Sequence, residues 1–445
     1  MSRSLSTPLS PPSAALRPIL GVTFGIAVTV GSTVGVGILR TPGSVAALMG
    51  TPVLVLLVWL CGGCYALLGA NYTAELATMS PKAGGPYVFA HRAYGEFAGF
   101  AIGLCDWVLN TAAIAFLAIA FGEYITRLVP SMAPYSRLVS IGVLIAFTIV
   151  NARGTRTGSH TQQAASLVKA SALAAFVVAC LASGRAIDAR HVAAAAPASS
   201  AEGPVAFVLA LQLVLGAYGG WNAAAYFAEE QAAPAQTAPR SLFWGVLAVT
   251  AVYVLVNIGL LAVLPLPALA ASTLPASDAM HAMFGELAGM LLMLLSLVLL
   301  VSIINAGFLT IPRTVFAAGR DGLAPRRLAA VNNGGAPIAA LLVTGAAAIF
   351  FCATGTFEQL LAFYATTGII VDIALVVALF VLRRREPTVS RPFKVWGYPY
   401  APLALLVIDV MLVVSFAFAD TANTILAAML LPASYPLYLL LKARS

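Results

Sequence analysis

The main-chain atoms of one glycine-rich stretch have more chemical reach than any set of side chains in this sequence. Thr29-Val-Gly-Ser-Thr-Val-Gly-Val-Gly-Ile38 places Gly31, Gly35 and Gly37 inside an apolar run, from about Ile19 to Met49, that is long enough to cross a bilayer. Glycine inside a helix costs roughly 1 kcal/mol against alanine, so three of them beside Ser32 and Thr33 predict a helix that breaks midway. A break frees amides and carbonyls, and where irregular backbone lines a cavity it can hold an ion or a small charged solute. The plain alternative is close helix packing, because Gly31 and Gly35 also form a small-xxx-small pair.

Charged side chains inside apolar runs come next. Lys169 lies about eight residues from the end of its run, and an intramembrane charge marks a functional site unless it snorkels to the interface. Asp106, with Asn110 on the following turn, and Asp372 are the deep carboxylates; each is read either as a proton carrier or as a structural hydrogen-bond acceptor. Glu75, Glu123 and Asp420 fall near run ends and are expected to face water or headgroups, and Arg40 is expected at the outer vestibule or as an interface anchor. His91, His160, His191 and His281 share no metal-ligand spacing, so no metal and no cofactor are expected. Cys61, Cys64, Cys105, Cys180 and Cys352 all sit in apolar runs and read as small hydrophobes; the redox spacing of Cys61 and Cys64 occurs on a membrane helix. No nucleophile-base or zinc-binding motif is present, which argues against an enzyme.

These residues must be positioned by membrane helices. With 61% hydrophobic and 9% charged residues over 445 positions, the chain is read as a polytopic all-α membrane protein without a sizeable soluble domain. The net charge of +8 is dispersed between apolar runs, as membrane topology demands, and nucleic acid is rejected as a partner. At about 20 apolar residues per span, twelve spans are expected, near 19–48, 52–77, 96–128, 136–151, 161–183, 204–230, 241–264, 285–316, 337–353, 357–382, 401–419 and 422–441. Of the 24 lysines and arginines, only Arg40, Arg127, Arg137, Arg185 and Arg190 fall opposite the N-terminal tail, and Lys169 lies within a span. That asymmetry predicts cytoplasmic termini in a cell membrane. The Ser/Pro-rich tail, residues 1–17, is expected to be disordered. The first ten spans divide into a five-helix unit over 18–200 and a second, inverted copy over 201–385, followed by a loop and two peripheral helices over 386–445. Span six repeats the peculiarity of span one: Leu215-Gly-Ala-Tyr-Gly-Gly-Trp-Asn222 puts Gly216, Gly219 and Gly220 in mid-span. Interrupted helices at equivalent places in two halves point to a transporter site.

Several motifs then resemble the amino acid-polyamine-organocation (APC) superfamily. They are Gly31-Ser-Thr-Val-Gly-Val-Gly-Ile-Leu-Arg-Thr-Pro42, Tyr72-Thr-Ala-Glu-Leu-Ala-Thr followed by Pro81-Lys-Ala-Gly-Gly-Pro-Tyr87, and Ala217-Tyr-Gly-Gly-Trp-Asn222 with Glu229, Glu230 and Pro234. Asn305, Arg313, Ala318-Gly-Arg-Asp-Gly322 and Arg391-Pro-Phe-Lys-Val-Trp-Gly-Tyr-Pro399 extend the likeness, which resembles the L-type amino acid transporter branch over about 17–405. The resemblance implies a LeuT-like 5+5 inverted repeat with broken helices 1 and 6, and transport of amino acids by alternating access, as exchange or coupled to protons or sodium.

For a zwitterionic substrate the resemblance implies that the amides of Gly35, Val36 and Gly37 meet the carboxylate, and that carbonyls near Thr33, Gly216 and Gly219 meet the ammonium. Asn222 is a polar contact. Two departures stand out: Val36 replaces a frequent serine, and Gly216 replaces a bulky aromatic gate, which enlarges the pocket. Lys169 follows Gln162 by seven residues, as a lysine does in L-type relatives, where it stands in for sodium by bracing the unwound part of span one. Gly307 stands where relatives supply a serine partner, leaving Ser302 or backbone to substitute. Neutral amino acids are favoured, with Gly216 expected to admit bulky ones; cationic amino acids or polyamines are the rival substrates and a non-transporting sensor the rival class. The outer loop from Val129 to Arg137 has no cysteine, so no disulfide-linked partner subunit is expected there.

Overall fold

The computed structural model describes residues 21–153, 155–183, 203–231, 233–272, 274–332, 334–419 and 421–442; the side chains of Val36, residues 155–166, Val205, Glu358 and Ala419 lie outside that description. The expected tail therefore falls outside it, as do Arg185, Arg190, His191, Asp420 and the side chains of His160 and Gln162.

The elements among the described residues are helices joined by turns and loops. The first half runs α1 (Val22–Thr33), α2 (Val36–Met49), α3 (Pro52–Met79), α4 (Pro86–Tyr94), α5 (Glu96–Leu128), α6 (Ser136–Ala152) and α7 (Thr155–Ala182). The second runs α8 (Pro204–Tyr218), α9 (Pro234–Val263), α10 (Leu266–Ala271), α11 (Pro275–Phe284), α12 (Glu286–Thr310), α13 (Pro312–Arg320), α14 (Ile338–Thr354), α15 (Phe357–Arg385), α16 (Tyr400–Ala419) and α17 (Thr421–Lys442). Among the described residues nine helices are long and apolar enough to cross a membrane. A tenth apolar segment is the pair α1 and α2, bent by 50° at its break, and two shorter apolar helices cover Leu167–Ala182 and Ile338–Thr354. The sequence did not anticipate α4, α10 and α11, which are too short to span and form in the connections, whereas α13 continues α12 within one apolar segment, Glu286–Arg320.

Local signals set the ends. Thr51 caps α3 by accepting from the Leu54 amide at 3.4 Å, with Pro52 in the first turn. Thr356 and Gln359 form a reciprocal capping box at the start of α15. Gly50 ends α2 in the left-handed region.

Among the described residues, two large buried apolar clusters hold the bundle, with a third, smaller one around Phe24, Phe227 and Leu309. The larger draws on α2, α3, α4, α8, α9, α15 and α16 around Trp59, Tyr218 and Tyr253; the second joins α5, α6, α12 and α14 through Leu144, Leu300, Ile304 and Phe308. Leu138, Ile145 and Ile149 on α6 and Val407, Val410, Met411 and Val414 on α16 stay exposed, an apolar belt that suits lipid. One expectation is overturned. Glu75 faces neither water nor headgroups: it is fully buried, takes two bonds from Arg383 at 2.9 and 2.5 Å, and accepts from the Val395 amide at 2.7 Å. The charge that enters the interior comes with its partner, which its position near a helix end could not reveal.

Candidate functional site

The glycine stretch breaks where its composition demands. α1 ends as the Val34 amide closes on Val30 at 2.9 Å; Gly35, extended at φ −150°, then turns the chain into α2. The opening amides of α2, including those of Val36 and Gly37, have no carbonyl four residues back inside the helix, and they form a positive pole at the break. The second break follows Tyr218. There the chain passes through Gly219 and Gly220, the latter at φ +95°, into a 3-10 segment, Ala223–Glu230.

The breaks face one another. A Cβ on Gly220 would lie 2.8 Å from the Ser32 carbonyl oxygen, and one on Gly37 would lie 3.0 Å from Ala217 Cα. Gly37 therefore serves the close approach of α2 to α8 as well as the break. Tyr253, which sequence reasoning missed, ties the two breaks together: its buried hydroxyl lies 2.8 Å from the Thr33 carbonyl and 2.7 Å from the Ala217 carbonyl. Its signal is absent from the sequence because a tyrosine in an apolar helix reads as core.

Between the breaks lies a cavity of about 440 Å³. Thr33, Gly35, Gly37, Gly216, Gly219, Asn222 and Gly307 all line it. Gly216 borders open space, with nothing within 4 Å of where a Cβ would stand, and Gly307 packs on Ile114 of α5. The side chain of Val36 lies outside the described residues. The remaining wall is largely apolar, from Ile114, Phe116, Leu117 and Ile303, with Gln212 and Tyr364 as further polar groups. Arg40 is the charged residue of this lining and stacks over Phe357, 4.7 Å from the ring centroid. It stands on the cavity wall in the early turns of α2, beyond the break.

Lys169 does not line the cavity. It is fully buried and donates to the Gly31 carbonyl at 2.9 Å and to that of Val34, so two carbonyls released by the break are satisfied by one ammonium. Asp106 also stands behind the cavity, in a smaller one of about 90 Å³. Its carboxylate accepts from Tyr226 at 2.6 Å, Asn110 at 3.0 Å and Thr314 at 3.2 Å, contacts that join α5 to the second break and α13.

The cavity is shut at the end away from Arg40. Phe24 packs edge-on against Phe227 at 5.4 Å. Arg313 lies 4.2 Å over the Phe227 ring and donates to Glu230 at 2.7 Å, both partners buried. Beyond them Glu229 accepts from Arg320 at 2.8 Å and from the Ala83 amide at 2.9 Å, while Tyr87 donates to Asp321 at 2.9 Å. Burial and that carboxylate push the Tyr87 hydroxyl well above the ordinary phenol range, so it remains a donor. Four motifs singled out in the sequence thus meet at one closed end.

Two facing helix breaks around a solute-sized cavity, in a bundle of apolar helices, define a membrane carrier. Residues 21–435 match the amino acid permease family, and the chain belongs to it, within the APC superfamily. It is 28% identical to the serine/threonine exchanger SteT of Bacillus subtilis over 437 residues, covering 96% of this chain and 98% of that protein. It is 29% identical to the large neutral amino acids transporter small subunit 2 of Mus musculus over 396 residues, covering 86% and 73% respectively. It is 26% identical to the mouse b(0,+)-type amino acid transporter 1 over 431 residues, covering 92% and 85%. The chain is a permease, not an enzyme.

Proposed function

We propose that this protein carries neutral amino acids across the cell membrane by alternating access, without sodium. In this reading it has twelve spans with cytoplasmic termini, and residues 18–200 and 201–385 are the two inverted halves. The opening amides of α2 take the substrate carboxylate, and carbonyls at the two breaks, near Thr33, Gly216 and Gly219, take the ammonium. Asn222 orients the substrate, and Gly216 leaves room for a bulky side chain. The Arg313–Glu230 end is the closed cytoplasmic gate, and Arg40 marks the outer entrance. Lys169 fills the role of a coupling cation by bracing the carbonyls of Gly31 and Val34. Loss and recovery of that brace accompanies the change of access.

The observation that carries the substrate class is the charge of the cavity lining. A cationic amino acid or polyamine wants a carboxylate in the pocket, whereas Arg40 is the charged group there and Asp106 is withdrawn into its own hydrogen bonds. The names of the serine/threonine and large neutral amino acid relatives point the same way. The absence of cysteine between Val129 and Arg137 supports action without a disulfide-linked partner at that loop.

The test is counterflow. Purified protein in liposomes preloaded with a mixture of amino acids should accumulate labelled neutral amino acid, with sodium replaced by potassium at no loss. Binding without flux would make the protein a sensor, and stronger competition by lysine or spermidine than by neutral amino acids would overturn the substrate class.

A further inference from the structure

Behind the cavity, three helices meet at a carboxyl pair that substrate binding does not use. Asp372 on α15 and Asp409 on α16 approach a single hydroxyl, that of Tyr65 on α3. The Tyr65 oxygen lies 2.7 Å from Asp409 Oδ1 and 3.3 Å from Asp372 Oδ2. Tyr72, two turns further along α3, donates to Asp372 Oδ1 at 2.7 Å. Asp409 is fully buried, and its Oδ2 has no hydrogen-bond partner among the described residues. The ionisable groups in electrostatic contact with the pair are Tyr65 and Tyr72 of α3, Asp106 of α5 and Tyr364 of α15. Among the described residues neither carboxylate has a lysine or arginine in ion-pair contact.

A proton count follows from these distances. One phenol proton can serve one carboxylate at a time, so the second oxygen contact is a hydrogen bond only when a carboxyl carries a proton of its own. Two ionised carboxylates around one hydroxyl, in an apolar bundle without a cation, would moreover repel, and such pairs hold a shared proton instead. We propose that Asp372 and Asp409, bridged by Tyr65, form a binding site for one exchangeable proton, and that its occupancy is coupled to the substrate cavity. The coupling is spatial: Tyr65 and Asp372 line the smaller cavity, and Gly216, Gly219, Asn222 and Tyr364 line both cavities.

With the proton on Asp409, its carboxyl donates to the Tyr65 oxygen and Tyr65 donates to Asp372. When Tyr65 passes its proton to Asp372 Oδ2 as Asp409 passes its own to Tyr65, one proton has moved from the α16 side to the cavity side and the phenol is again neutral. A rearrangement of α15 against α3 during the transport cycle changes both oxygen distances, and with them the proton affinity.

This inference rests on the transporter reading, and the experiment separates the two. Full-length protein is reconstituted in liposomes carrying an internal pH dye, and three signals are followed: counterflow of labelled neutral amino acid, net uptake under an inward proton gradient, and internal acidification on substrate addition. Wild type should show all three, the net uptake falling when the gradient is collapsed. Asp409→Asn, which keeps the shape and cannot ionise, should retain counterflow and lose both gradient stimulation and acidification; Tyr65→Phe should weaken those two signals while eluting as a folded monodisperse protein. Failed counterflow in wild type overturns the transporter reading. Intact counterflow with a gradient response that Asp409→Asn leaves unchanged, with no gradient response at all, or with stimulation by a sodium gradient alone, overturns the proton site.

Discussion

Lys169 Nζ donates to the Gly31 carbonyl at 2.9 Å and to that of Val34, so one buried ammonium spans the last turn of α1 and the first residue beyond it. Gly31 and Val34 are 138 and 135 residues away in the chain. The contact ties α7 to the break.

Removing that support has a defined consequence. Lys169→Ala should leave two buried carbonyls without donors, at about 1–3 kcal/mol each, and should lower the melting temperature and nearly abolish counterflow. Sodium should not rescue it, and sodium should not stimulate wild type. Normal uptake by Lys169→Ala would mean that the brace is dispensable.

Gly216 and Gly220 stand close in sequence and should respond oppositely. Gly216→Phe enters open space, so the fold should be retained while competition by bulky neutral amino acids weakens more than competition by small ones. Gly220→Ala forces a side chain onto a backbone at φ +95° and against the Ser32 carbonyl; it should cost about 1–3 kcal/mol and most of the transport. Thermal melting and a competition panel on both variants check the contrast.

Arg40 should select by charge. Arg40→Glu reverses the charge of the cavity wall and should raise competition by lysine and arginine relative to leucine, while Arg40→Gln should be intermediate. Unaltered competition profiles would place Arg40 outside the substrate path.

The closed end should depend on a pair rather than on either charge. Arg313→Met or Glu230→Gln alone leaves an uncompensated buried charge and should cost about 3–5 kcal/mol, whereas the double variant should recover much of that loss in melting experiments. The single variants should also expose a cysteine introduced at the cavity floor to thiol reagents added from the side of the membrane on which the Arg313–Glu230 pair lies.

Some of this was legible in the residues alone. Hydropathy and the inert punctuation of Gly and Pro are local properties, so the apolar helices and both breaks could be located from neighbouring residues, and the unusual chemistry of Lys169 and Asp106 followed from charges standing in apolar runs. Packing decided the rest. Glu75 near a helix end looked solvated until Arg383 and the Val395 amide arrived from more than three hundred residues away. Asp409 stands in an apolar run and carried the same signal as Asp372, yet sequence reasoning passed over it; its partners were not legible at all, because only the folding of α3, α15 and α16 brings Tyr65 and Asp372 to it. Whether a buried charge is a cost, an anchor or a working group depends on which groups share its low-dielectric surroundings, and that neighbourhood is assembled from distant parts of the chain.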